Sequence, residues 1–227
     1  KLGYSGIELR RTQIDPGTSR VQRKEMLDAV QAKGLSVTCL TTRKIPGSGV
    51  ERDDFLLNYL ELCTDMECKL LKTGGEPDWM RWAADKAKPL GISLAQNNHV
   101  GSVTETVKGT QEFLTAGDRS NIRLLYDPMH LFWGGEDYIG AISKFARHIA
   151  NVLVHSIRPP LKADGAAQNE MTSCMPDDPG AQDWRGIYRE LKAIRYTGLV
   201  TIIENGWPPT ERERVAKRNI DFLRSLE

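Results

Sequence analysis

An α/β fold of the (β/α)8 barrel type is predicted by three features of the chain. Short apolar runs alternate with stretches of helical spacing along 227 residues, seven strands in all. No shift in composition breaks that alternation, so residues 1–227 read as one domain. Three of the apolar runs stop at a residue type that binds divalent metals: Asp127, His155 and Glu204. Alternation of this kind implies parallel strands joined by helical crossovers. Polar residues at the C-terminal ends of several separated strands favour a closed barrel, because an open sheet gathers its ligands at one switch point.

Tyr4–Arg10 reads as a short strand with Glu8 near its end. Val21, Met26, Leu27 and Val30 give Arg20–Lys33 helical spacing, and Gly34 supplies the stop. Leu35–Leu40 is the next strand, followed by a polar loop over 43–51. From Phe55 to Met66 a helix presents Phe55, Leu56, Tyr59, Leu60 and Cys63 on one face. Lys69–Gly75 runs as a strand into a glycine turn, Trp79–Lys88 is a shorter helix, and Gly91–His99 is a further strand. Val103–Leu114 is helical. The Asp127 strand, a helix over Tyr138–His148 and the His155 strand come next. Residues 159–182 hold few apolar side chains and four prolines, which reads as a long loop. Asp183 caps a helix to about Ile194, the Glu204 strand follows, and a charged helix over Glu211–Leu226 completes the chain.

Composition narrows the function. Apolar residues make up 40% and charged residues 27%, ordinary values for a globular protein. Thirty-one basic and 30 acidic side chains leave a net charge of +1, no field for nucleic acid. No run of 18 apolar residues exists, so no membrane span is expected. No secretory leader is read, although Lys1 is not an initiating methionine. Cys39, Cys63, Cys68 and Cys174 form no CxxC pair and read as reduced thiols of a cytoplasmic protein. Neither GxGxxG nor GxxxxGK[ST] follows a strand, which argues against nucleotide binding.

Asp127, His155 and Glu204 supply two carboxylates and an imidazole, a donor set suited to Mn2+, Mg2+, Co2+ or Zn2+. An ion held there would polarise a carbonyl or hydroxyl and stabilise an enediolate. The runs GIELR, LLYDPMH, LVHS, GAQDWRGIYRELKAIRYTG and TIIEN resemble the xylose isomerase-like (β/α)8 TIM-barrel superfamily. That family holds sugar epimerases, keto-sugar isomerases, inosose dehydratases and, more distantly, endonuclease IV. The resemblance extends nearly end to end. Its most specific part is the ordered Asp, His and Glu at successive strand ends, with the DxxH of Asp127 and His130.

Aligned this way, the first visible strand corresponds to the family's second, so the first strand is expected to be missing from the chain. Two exposed strand edges would then favour cover by another segment or association into a homo-oligomer. The family's strand-five glutamate falls on Asn97, whose amide can coordinate a metal but brings no charge and serves as no base. The resemblance implies metal binding by Asp127, His155, Glu204 and Asn97, with Mn2+ the first expectation. Glu204 is the expected catalytic acid or base. His99, which shares side-chain parity with Asn97, is a candidate replacement for the second. His130, Arg158, Glu8 and Trp207 are expected to contact substrate.

The implied activity is a metal-dependent isomerase, epimerase or lyase acting on a sugar, keto-sugar or cyclitol. With Asn97 in place, symmetric two-base epimerisation loses support, and isomerisation or β-elimination is favoured. The alternative is a carbohydrate-binding or partner subunit that kept the fold without the activity. Four histidines and a net charge of +1 disfavour the endonuclease reading.

Overall fold

Strand order follows chain order. In the computed structural model, which describes residues 2–47, 49–159, 172–203 and 207–227, the main sheet runs β1-β2-β3-β4-β5-β6-β9. A doubly wound sheet would reverse direction part-way; a (β/α)8 barrel does not. The chain forms two compact units, residues 4–97 with 112–124, and residues 1–3 with 98–111 and 125–227.

In the first unit β1 (Gly6–Arg10), β2 (Ser36–Thr41), β3 (Leu70–Lys72) and β4 (Ser93–Asn97) are successive parallel neighbours. Their crossovers are α1 (Arg20–Gln31), α2 (Val50–Asp65) and α3 (Pro77–Ala87). Leu40, Leu71 and Leu94 are buried on the strands, as are all five expected residues of α2: Phe55, Leu56, Tyr59, Leu60 and Cys63. The four cysteines are free and buried.

Helix α1 departs from its expected face. Val21 is 68% exposed, whereas Arg23 is 6% exposed. The Arg23 guanidinium donates to Thr18 O (2.8 Å), Pro16 O (2.6 Å) and Asp65 Oδ2 (2.7 Å), so its charge is paired and its donors are used. Burial of arginine is tolerated on those terms. Ser19 caps the helix: its hydroxyl accepts from Gln22 N, and the Gln22 side chain accepts from Ser19 N, a reciprocal capping box. Ser19→Ala is expected to lower stability by about 1 kcal/mol, read from the urea midpoint at unchanged slope. Gly34 sits at φ +70, as its role as a helix stop requires.

Helix α4 (Val107–Gly117) and β5 (Ile122–Tyr126) follow. In the second unit, Asp127 begins a helix, α5 (Pro128–Trp133). Asp127 Oδ1 accepts from Met129 N (3.1 Å) and Pro128 opens the helix, a favoured start. Next come α6 (Ala141–Phe145) and β6 (Ile149–Val154). The stretch expected to be loop contains part of a small antiparallel ladder, β7 (Ile157–Arg158) with β8 (Thr172–Ser173). Residues 160–171 of that stretch lie outside the described residues. Helix α7 (Trp184–Ala193), capped by Asp183 as expected, leads to β9 (Leu199–Ile202), which pairs in parallel with β6. Helix α8 (Arg212–Arg224) closes the chain, with Val215, Ile220 and Leu223 buried. Among the described residues no helix is long and apolar enough to cross a membrane.

Candidate functional site

The end of β5 is held with unusual care. Asn98, fully buried, accepts from Asp127 N through Oδ1 (2.8 Å) and donates to Asp127 O through Nδ2 (2.7 Å). One amide thus satisfies both polar groups of a residue that lies just past the strand, and the backbone carrying the Asp127 carboxylate is fixed. Asp127 is only 2% exposed. Its Oδ1 caps α5, and its Oδ2 lies 3.6 Å from His130 Nε2. His130 is also buried, on the first turn of α5. Its ring lies against that of His99, with centroids 3.9 Å apart and planes at 41°. His99 Nδ1 meets Val100 O at 2.6 Å. A carbonyl only accepts, so Nδ1 carries the proton, and in the neutral ring Nε2 holds the lone pair. Asp127, His130 and His99 are therefore brought together.

His155, one residue past β6, borders a small recess with Ser156, Ser173, Cys174, Pro176, Trp207 and Asn219. Two expected site residues, His155 and Trp207, thus share one depression. Two segments fix the backbone beneath it. Cys174 N donates to Ser156 O (3.0 Å), the Trp184 indole donates to Ser156 Oγ (2.9 Å), and Gln182 Oε1 accepts weakly from Ile157 N (3.4 Å). The Gly180–Trp184 motif therefore has a structural reason: its Gln182 and Trp184 grip the segment that follows His155. Arg158 lies on β7, half-buried, and its charge acts on Cys174.

Burial first, then the charge of Asp178, pushes the Cys174 thiol from 9.0 up to about 11. A raised thiol keeps its proton in the native state after the unfolded chain has lost its own. The contribution is complete below about pH 9 and is lost as pH rises through about 11. Wild-type stability is expected to fall over that window more steeply than that of Cys174→Ala, in urea titrations at pH 8, 9, 10 and 11.

In the first unit, Glu8 accepts from Thr41 Oγ1 (2.7 Å), and Asn97 ends β4 at 8% exposure. Trp133 is 47% exposed at the end of α5. His148 meets Arg147 Nε at 2.9 Å. Glu204 lies outside the described residues. Asn98 was missed by sequence reasoning; its signal was a polar side chain at the end of a buried strand.

The profile of the xylose isomerase-like TIM barrel matches residues 1–226. The chain belongs to that family. Inosose dehydratase of Mesomycoplasma hyopneumoniae (strain 7448) is 27% identical over 152 residues, 62% of this chain and 50% of the relative. The chain thus spans about half the length of the curated relatives it matches. The probable 3-DHS dehydratase AsbF of Bacillus anthracis superimposes with a TM-score of 0.80 at 15% identity, covering 98% of this chain and 89% of that one. The IOLI protein with a bound zinc atom gives 0.74 at 16% identity, covering 99% and 87%. These structural likenesses establish the TIM-barrel fold.

The donor types fit the divalent ion the family implies. Asp127 offers a buried carboxylate on a fixed backbone and His155 a half-buried imidazole. Among the described residues no group of three or more His, Cys, Asp or Glu is placed to hold a metal.

Proposed function

We propose that the chain is a divalent-metal-dependent lyase that removes water from a keto-sugar or cyclitol, related in chemistry to the isomerases and epimerases of its family. The observation that carries this reading is the cluster at the end of β5 in which buried Asp127 and His130 meet the exposed ring of His99. Asp127, His155 and Glu204 would hold the ion, which would supply Lewis acidity toward a substrate oxygen. Mn2+, Mg2+, Co2+ and Zn2+ all suit such donors.

The chain's own residues would handle the protons. His99, with Nδ1 fixed on Val100 O, takes the proton from the carbon beside the carbonyl at Nε2. The electron pair of that C–H bond forms the new C=C bond as the C–O bond to the leaving hydroxyl breaks. His130, stacked on His99 and beside Asp127, supplies the proton with which that hydroxyl departs as water. Glu204 would serve as a further acid or base, and Arg158 and Trp207 would contact the substrate. Asn97 offers no second carboxylate, so elimination is favoured over two-base epimerisation.

Protein loaded in turn with Mn2+, Mg2+, Co2+ and Zn2+ should be incubated with 2-keto-myo-inositol and ketohexoses in D2O. Deuterium at the carbon beside the carbonyl, followed by an enone absorbance, supports the lyase. Exchange followed by an isomer or epimer selects the sister reactions. Carbohydrate binding with no exchange at any ion selects the second reading, a binding or partner subunit, for which Asn97 is the favouring observation.

A further inference from the structure

Three register positions place a polar row across the C-terminal ends of the first unit's strands. Arg10 pairs with Thr41, and Thr41 with Lys72. Aligned residues on parallel neighbours project to one face, so the row reads cation, hydroxyl, cation. Thr41 Oγ1 fixes which face this is by donating to Glu8 Oε1 (2.7 Å). Glu8 stands two residues before Arg10 on β1, one rung below the row.

None of these groups is neutralised by its surroundings. Glu8 Oε2 is buried and has no hydrogen-bond partner among the described residues. Leaving a charged acceptor in that state is costly, more so than for a neutral group. Lys72 is half-buried and forms no ion pair among the described residues, nor does Arg10. Some exterior arginines do find such partners: Arg20, Arg81, Arg119 and Arg218 meet carboxylates. Below the row, Cys39 is fully buried, and burial together with the Glu8 charge holds its thiol well above the ordinary range. The floor of the row is therefore an uncharged thiol, and Glu8 is its one anion on β1.

We infer that the Arg10–Thr41–Lys72 row, with Glu8 beneath it, is a recognition site for a hydroxylated small molecule bearing a carboxylate or phosphate. The anion lies between the Arg10 and Lys72 side chains. A hydroxyl of the same molecule donates to Glu8 Oε2, on the carboxylate whose Oε1 reaches Thr41 Oγ1 (2.7 Å). A neutral polyol would satisfy Glu8 and leave both cations without a partner. An anion lacking hydroxyls would do the reverse. That the molecule held here is the one transformed rests on the proposed lyase reading; the site itself does not.

The test compares three six-carbon probes by calorimetry: sorbitol, D-gluconate and sorbitol 6-phosphate. Gluconate or sorbitol 6-phosphate is expected to bind at least about tenfold more tightly than sorbitol, the scale of one charge-assisted hydrogen bond. Which of the two wins distinguishes carboxylate from phosphate. Lys72→Met should abolish that preference, and Lys72→Arg should keep most of it. Glu8→Gln should weaken gluconate while leaving inorganic phosphate unaffected. Arg20→Met, on the exterior, should change nothing, and circular dichroism checks that each variant folds. Equal behaviour of the three probes, absence of binding included, overturns the site. So does an anion preference that survives both Lys72→Met and Arg10→Met. No turnover is measured, so failure of the elimination assay and failure of this binding test are separate results.

Discussion

Asp127→Asn is expected to lose turnover by about a thousandfold or more, the scale of the several kcal/mol that a correctly held metal contributes to charge stabilisation. The substitution keeps the shape of the side chain. An amide oxygen still accepts from Met129 N and caps α5, and the Asn98 bonds go to the backbone, which is unchanged. Unfolding free energy should therefore change by no more than about 1 kcal/mol. What is lost is a buried negative charge beside His130. With it should go the rise in melting temperature caused by the active divalent ion. Asp127→Ala gives the same loss at greater cost to stability, because the cap is removed as well. An Asp127→Asn protein stabilised by the ion as strongly as wild type would remove Asp127 from the metal site and with it the basis of the proposed mechanism.

The second large effect is structural. Trp184→Ala should destabilise the protein by roughly 3–5 kcal/mol, the usual range for truncating a buried tryptophan. Trp184 is 1% exposed, and its indole N–H donates to Ser156 Oγ, itself buried. Trp184→Phe keeps much of the apolar contact and leaves that hydroxyl without its donor, at about 1–3 kcal/mol. Typical domains hold about 5–15 kcal/mol in total, so the alanine variant should unfold at a sharply lower urea concentration. A loss below about 1 kcal/mol would mean that the second unit relaxes around the missing ring. Because Ser156 follows His155, both variants should also lower affinity for the divalent ion, the phenylalanine variant by about 10- to 100-fold.

Sequence patterns reported the elements with a local cause. Helix α2 was legible because five apolar residues from Phe55 to Cys63 share one face, and all five are buried. Helix α5 was not, although its start signals, Asp127 and Pro128, were present; with six residues it has too little length to show a period. The two-residue strands β7 and β8 carry no alternation for the same reason. Arg23 took a buried position that Val21 was expected to hold, because carbonyls at Pro16 and Thr18 and the carboxylate of Asp65 accept its protons. Partners 42 residues away leave no trace in a helical period.

The site was legible to a similar degree. Strand-end acids and imidazoles stand out against apolar runs, which singled out Asp127 and His155. Their neighbours come from distant segments: His99 meets His130, and Asn98 reaches Asp127 across 29 residues. A single sequence does not record such meetings.

The grip of Asn98 on Asp127 has a consequence for how this end of the barrel opens. A side chain that offers one donor and one acceptor to a peptide imitates a neighbouring strand, so the β5 ladder is prolonged by one rung beyond its last residue. The amide hydrogen of Asp127 lies at the start of a short helix, where protons ordinarily trade with water within moments. Here it should be retained in deuterium oxide about as long as those of Leu124 and Leu125, because releasing it requires the opening event that frees the strand. The loop from His99 onward can then fluctuate while the carboxylate beside it stays in place.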